Sequence, residues 1–361
     1  MSGLAGSVEH LQDGPTASRP TYRLIQVLRA VAALMVVVHH ATIMLGDRDG
    51  LPIGNWTNGA SGVDIFFVIS GFVMSISSAP LRKTLHPARI FLARRLERVV
   101  PLYWIVTTVK VLSVLALPGL ALNALGTPWH VIASYLFLPA GMDPVVVVGW
   151  TLNFEFLFYL IFAAVLAIRG SLLKVLIPVL LVVVLLRYLP QPHVSAGVRV
   201  YESSMVLEFL FGVLLALAVD WVRGWNLAVA IGFVVVGFSV FFHWGAPIGL
   251  PWRGLDWGLP ALAVVAGTIA MERPLGKFAP KWMLELGDAS YSIYLVHGLV
   301  LPIIGILLAR AGSHWLHVVP VSILGMVLLS IAGGELVYLG IERPIAQWFK
   351  GRRRTAIPAN A

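Results

Sequence analysis

The chain has 361 residues, 58% of them hydrophobic and 12% charged, with no cysteine, a net charge of +9 and a mean hydropathy of +0.87. A soluble domain carries about 25% charged residues, so composition excludes a water-wetted globule. The missing cysteines exclude disulfides, thiolate nucleophiles and cysteine-ligated metals, and the excess of Lys and Arg reads as the cationic bias of cytoplasmic loops rather than a nucleic-acid footprint.

Residues 1–20 are polar, rich in Gly and Ser and without an apolar period, which predicts a disordered cytoplasmic tail. Ten apolar stretches follow, beginning near Tyr22, Gly62, Val99, Trp150, Leu172, Ser203, Asn226, Gly258, Ala289 and Val318. About 20 apolar residues span a bilayer. The first stretch is long and lacks a small-residue cleavage site, so it is expected to stay as an anchor. The segment from Trp129 to Pro139 is too short to span and is bracketed by Pro128 and Pro139, which predicts an interfacial or re-entrant piece. Residues 350–361 form a basic cytoplasmic tail whose Lys350, Arg352, Arg353 and Arg354 suit anionic headgroups.

Loop charge gives the orientation. With the amino terminus inside, the inner segments hold 19 of the 26 Lys and Arg and the outer segments 5; Arg29 and Lys110 lie within spans. The expectation is an all-α polytopic membrane protein, a bundle of about ten transmembrane helices occupying residues 21–349, with both termini cytoplasmic.

Ionisable residues within a span mark function by default. Arg29 lies near the inner end of the first stretch and the pair His39 and His40 toward its outer end. Eleven residues at about 100° each come within about 20° of three full turns and rise roughly 16 Å, so Arg29 and His40 share a face while His39 points aside. Asp64, Glu155 and Glu208 each fall about five residues inside the outer boundary of their stretches, at the depth of His40, or roughly 7–8 Å in. A histidine beside carboxylates is suited to general-base work on an alcohol. His40 is therefore the expected base, with Glu155 and Asp64 as catalytic partners. On the inner side, Arg95 and Arg98 stand at i, i+3 where the third stretch begins, and guanidinium forks fit phosphate. Arg29, Arg82, Lys83, Arg89 and Lys281 are available to complete an anion funnel. The His314 and His317 pair lacks two further ligands nearby, so no metal site is expected. His297 is expected to bond a neighbouring helix, and Ser70 and Ser75 to permit close packing. A cationic inner mouth on the same face as a deeper histidine fits a phosphate-bearing molecule with a slim reactive arm, such as acyl-coenzyme A.

The same residues carry a resemblance. Arg29 with ten intervening residues to His40, the Asp64–Phe72 stretch, Arg95-Leu96-Glu97-Arg98, Trp150-Thr151-Leu152 to Glu155, Ser290-Tyr291-Ser292-Ile293-Tyr294-Leu295-Val296-His297 and Ile341-Glu342-Arg343-Pro344 run in order over nearly the whole chain. In this the sequence resembles the acyltransferase-3 family, most of all its bacterial exopolysaccharide-modifying branch. The resemblance implies a ten-helix O-acyltransferase of the bacterial inner membrane, with roles for His40, Arg29, Arg95 and Arg98. It would pass an acyl group, commonly acetyl, from cytoplasmic acyl-CoA to a hydroxyl of an envelope glycan or lipid-linked sugar. It implies acyl-CoA as donor substrate with no tightly bound cofactor. Membrane lipids are expected around the chain and polysaccharide-synthesis machinery beside it, and no nucleic acid. A transporter or flippase of glycan precursors is the competing class, since buried charges also line solute paths, but no inverted repeat is visible.

Overall fold

The computed structural model describes residues 22–49, 55–117, 125–186, 203–244, 252–311 and 319–355. The expected tail at 1–20, the last residues of the chain, and His314 and His317 lie outside these. Among the described residues the chain is helical and has no strand. The main helices are α1 (Arg23–Asp49), α2 (Ser61–Ser78), α3 (Pro87–Ala116), α4 (Pro128–Tyr135), α5 (Trp150–Ala167), α6 (Leu172–Leu186) and α7 (Val206–Leu217). They continue with α8 (Leu227–His243), α9 (Gly258–Leu275), α10 (Lys281–Asp288), α11 (Ser290–Ala311), α12 (Val319–Val337) and α13 (Arg343–Thr355). Among the described residues seven helical segments are long and apolar enough to cross a membrane, and three shorter apolar helices, Lys174–Leu186, Val206–Leu217 and Leu227–His243, stand where the fifth, sixth and seventh stretches are expected. Helix α4 is the short piece between two prolines; the Thr127 hydroxyl caps it by accepting from the His130 N–H at 3.3 Å.

Helix α1 occupies the middle of the bundle, packed against α2, α9, α10, α11 and α12. Its Ala30, Ala32, Ala33, Val36, Val37 and Ala41 are buried, and their small size lets five neighbours approach one axis. The start of α1 is capped from another helix: Arg23 and Leu24 donate their backbone N–H groups to the Glu272 carboxylate, both at 2.8 Å. This satisfies two of the four orphan donors of a helix start and sets an anion at its positive pole.

Helices α2 and α7 meet through glycine. A Cβ on Gly71 would lie 2.1 Å from the Phe209 carbonyl oxygen, and one on Gly212 2.1 Å from that of Val68. Close packing therefore rests on these glycines and not, as the sequence led us to expect, on Ser70 and Ser75. Ser75 bonds the Gly71 carbonyl of its own helix at 2.9 Å, and Ser70 faces a cavity. Helix α3, by contrast, exposes Trp104, Ile105, Val109, Leu112 and Leu115, an apolar face for lipid.

A single π turn, Tyr338–Glu342, joins α12 to α13. Helix α13 runs without a break through the expected boundary at residues 349 and 350, and its Arg353 pairs with Glu97 of α3 at 3.0 Å. Arg353 thus ties that segment to the bundle.

Candidate functional site

Arg29, Arg95 and Arg98 come from α1 and α3, and the structure brings them to one cavity. Arg29 is held in place by two bonds, Nη1 to the Gln26 side-chain oxygen and Nη2 to the Ser290 hydroxyl, each 2.7 Å. Arg95 donates to the Ser77 hydroxyl at 2.5 Å, and its guanidinium lies over the Phe91 ring, 5.5 Å from the centroid. Glu155 lies in the same cavity; its Oε1 accepts from Ser70 at 3.1 Å and from Tyr159 at 2.7 Å. Arg29 and Arg98 also line a second, larger space between α3 and α13. Lining both spaces, these two side chains mark the neck where this vestibule adjoins the deeper, inner cavity.

The inner cavity's apolar walls include Val63, Phe66 and Leu152, and it reaches Thr151 and Tyr294. The Tyr294 hydroxyl pairs with that of Thr151 at 3.1 Å and donates to the Val148 carbonyl at 3.1 Å. The Tyr294 ring meets His297 edge-on, with centroids 5.6 Å apart, and the His297 ring lies tilted against that of His40 at 5.0 Å. Two rings, Tyr294 and His297, therefore stand between the cavity and His40.

The hydrogen bonds of the two histidines fix their tautomers. His297 Nδ1 lies 3.2 Å from the Ile293 carbonyl and His40 Nδ1 lies 3.0 Å from the Val36 carbonyl. A carbonyl oxygen only accepts, so in the neutral rings both Nδ1 atoms carry hydrogen and both Nε2 atoms carry a lone pair. The 3.2 Å contact between His297 Nε2 and His40 Nδ1 is then a bond from His40 to His297, shared with Val36. His40 Nε2 is left as an unprotonated nitrogen. His39 lies beside His40, with ring centroids 4.9 Å apart, and its Nδ1 bonds the Trp56 carbonyl at 3.0 Å.

The expected layer of four ionisable groups around His40 does not assemble. Asp64 is fully buried and its two oxygens take Arg253 Nε at 3.2 Å and Nη2 at 2.8 Å. Arg253 also donates to the Ala60 carbonyl at 3.2 Å. Glu208 is fully buried, with no hydrogen-bond partner for either carboxylate oxygen among the described residues. Glu155 belongs to the cavity with the arginines, not to the histidine. Spacing along a helix does not fix how the helices pack: Asp64 and Glu208 meet beside Arg253, while Glu155 bonds Ser70, six residues along α2 from Asp64, and so lies with the arginines. The funnel changes as well. Arg82 bonds the Gly170 carbonyl at 3.2 Å and thereby ties two inner loops together. Arg82, Lys83, Arg89 and Lys281 are all absent from the lining of both cavities.

Sequence reasoning missed three participants. Arg253 carries no motif of its own, although a buried Asp64 demands a cation from another element. Tyr159 stands at i+4 from Glu155, a spacing that places them together. His297 was expected to bond a neighbouring helix, and it does; that the neighbour is His40 has no local signal. Among the described residues no group of three or more His, Asp or Glu is arranged to hold a metal.

Comparison with known proteins gives two findings. The family model described as "Acyltransferase domain" matches residues 23–334. The chain is 34% identical over 309 residues to the exopolysaccharide production protein ExoZ of Rhizobium meliloti (strain 1021), covering 84% of this chain and 94% of that protein. No solved structure matches.

Proposed function

The chain belongs to the acyltransferase-3 family, and on that premise we propose that it is a membrane O-acyltransferase. It takes an acyl group, acetyl by family resemblance, from cytoplasmic acyl-CoA and places it on a hydroxyl of an exopolysaccharide or other envelope glycan. The observation that carries this reading is a cationic vestibule that shares Arg29 and Arg98 with a deeper cavity bounded by Tyr294, whose ring contacts His297 and, through it, His40. The printed name of the similar ExoZ protein supports a polysaccharide acceptor. In this reading all ten apolar helices span the inner membrane of a bacterium, with both ends of the chain in the cytoplasm. The gathering of Arg29, Arg94, Arg98, Arg343 and Lys350 at one end of the bundle supports that orientation.

In the proposed reaction His40 Nε2 removes the proton from the acceptor hydroxyl as its oxygen attacks the thioester carbonyl. The carbon–sulfur bond breaks, and His40 returns the proton to the departing thiolate. While His40 carries that proton, its Nδ1–H remains bonded to Val36 and His297, which makes His297 a positioning residue that steadies the imidazolium. Arg95 and Arg98 hold phosphate or amide oxygens of the donor. Asp64, with both oxygens committed to Arg253, shapes the fold rather than the chemistry, and Glu155 orients the donor arm inside the cavity.

The test uses the purified chain in nanodiscs with acetyl-labelled acetyl-CoA and a glycan acceptor. Label should pass to the glycan with consumption of thioester, and His40→Ala should lower transfer by about 10²–10⁴-fold, the range for losing a general base. Wild-type transfer by His40→Ala refutes the assignment. Passage of solute with no loss of thioester marks a carrier instead.

A further inference from the structure

The basic residues of α13 divide between two faces. From Arg343 to Lys350 is seven residues, within about 20° of two full turns, and Arg353 follows at i+3, so these three share one side of the helix. All three line the vestibule opposite Arg29 and Arg98. Trp348 and Arg352 lie on the opposite side, where the guanidinium of Arg352 sits 4.3 Å from the Trp348 ring centroid and Trp348 is 53% exposed. That second face, an exposed Trp with a cation, suits the membrane surface. The first faces a walled space and needs another ligand.

The vestibule's charge balance says which kind. Its lining holds six cations, Arg29, Arg94, Arg98, Arg343, Lys350 and Arg353, against three acids, Glu97, Asp288 and Glu342. Two of those acids are already engaged: Glu97 pairs with Arg353 at 3.0 Å, and Glu342 accepts from the Ser292 hydroxyl at 2.5 Å. Tyr338 and Phe349 add aromatic rings to the same wall. Cations with flat rings in a concave site fit a phosphorylated nucleotide, the phosphates on the guanidinium forks and the base on a ring. The neck at Arg29 and Arg98 leaves a slim arm as the part that continues inward. Resting on the acyl-CoA reading above, we infer that the inner face of α13 is the docking site for the nucleotide end of coenzyme A, held by Arg343, Lys350 and Arg353. The phosphate that reaches Arg353 replaces Glu97 as its partner, so binding loosens the link between α3 and α13.

The same phosphate chemistry is found on anionic lipid headgroups, and the experiment separates the two. Full-length chain is placed in nanodiscs of phosphatidylcholine alone or with phosphatidylglycerol. Turnover is measured with acetyl-CoA and with acetyl-pantetheine, which lacks the nucleotide. The double variant R343Q/K350Q should raise KM for acetyl-CoA by about tenfold or more per lost charged hydrogen bond, leave turnover of acetyl-pantetheine unchanged, and do so in both lipids. Equal losses with both donors would show that α13 only supports the fold, and overturn the inference. A variant whose sole change is lost stimulation by phosphatidylglycerol would give the face to lipid and overturn it too. If wild type turns over acetyl-pantetheine and acetyl-CoA equally well, the nucleotide site falls while the acyl-transfer reading stands. If it uses neither and does not bind coenzyme A, both fall together.

Discussion

His297 provides the sharpest test of the proposed chemistry, because its expected effect is bounded on both sides by the geometry. The His40 Nδ1–H is shared between the Val36 carbonyl at 3.0 Å and His297 Nε2 at 3.2 Å. A neutral hydrogen bond contributes about 0.5–1.5 kcal/mol and one to a charged group about 1.5–3. The increment gained when His40 takes up a proton is therefore roughly 1–1.5 kcal/mol. Loss of His297 removes that increment from the transition state but leaves the Val36 carbonyl, so kcat should fall about 5–10-fold and not by the factor of His40 itself. In His297→Leu, kcat for transfer from acetyl-CoA should drop by that amount with KM for the donor unchanged, because His297 lies beyond the donor cavity. His297→Gln keeps a carbonyl acceptor and should recover to within about twofold of wild type. Steady-state kinetics with both substrates near saturation, checked by single-turnover measurement, reads the split. Equal kcat values for the Leu and Gln variants would refute the acceptor role and reduce His297 to packing.

Other perturbations probe the frame around that site. Arg253→Met leaves Asp64 buried without its cation, a loss of about 3–5 kcal/mol; thermal unfolding in detergent should show it, and the double change Asp64→Leu with Arg253→Met should regain most of the stability. Gly71→Ala puts a Cβ 2.1 Å from the Phe209 carbonyl oxygen, so α2 and α7 must part, at about 1–3 kcal/mol; an unaltered melting temperature would contradict the packing described. Glu272→Ala removes the cap of α1 and should cost about 0.5–2 kcal/mol, visible as a lower midpoint with activity per folded molecule retained. Tyr294→Phe deletes the bonds to Thr151 and Val148 while keeping the ring against His297, and should raise acceptor-free hydrolysis of acetyl-CoA several-fold in a thiol-release assay. A hydrolysis rate equal to wild type would argue that this tyrosine does not close the cavity.

Helix content and the inner cationic cluster were readable from sequence because each rests on a local signal. Apolar length marks α1, α2, α3 and α5, flanking prolines mark α4, and the i, i+3 spacing of Arg95 and Arg98 brings both to the cavity they share with Arg29. What could not be read was azimuth between helices. The sequence places Asp64, Glu155, Glu208 and His40 at similar depth, yet Asp64 meets Arg253 and Glu208, Glu155 lies with Ser70 and Tyr159, and His40 faces α11. Rotation about each axis is decided by which faces are small enough to pack, at Gly71 with Gly212 and along the alanines of α1. The Gly71 and Gly212 contacts pair residues more than a hundred positions apart, and Ala32 meets Gly62 across thirty. The segment after residue 349 misled for a different reason: a basic run reads the same whether it is free or folded, and only its Glu97 partner on α3 shows that it is docked.

The separation of the histidines from the cavity has a consequence for how the proposed enzyme avoids becoming a leak. An acyl donor from one side and a sugar from the other must both reach His40, yet a passage open at both ends would short-circuit the membrane. Thr151 and Tyr294 stand where the donor cavity ends, and the bonds that hold Tyr294 there are neutral ones to Thr151 and Val148. Two such bonds contribute about 1–3 kcal/mol together, which keeps the open form at roughly 1–15% of molecules without donor. A barrier of that size is within what an acyl-CoA gains from a few guanidinium contacts, at about 1.5–3 kcal/mol each. Charge at the inner mouth and closure at the far end are thus matched in energy. In the proposed enzyme, donor contacts made only in the open form would supply the free energy that moves Tyr294 aside, so that opening toward His40 follows donor binding.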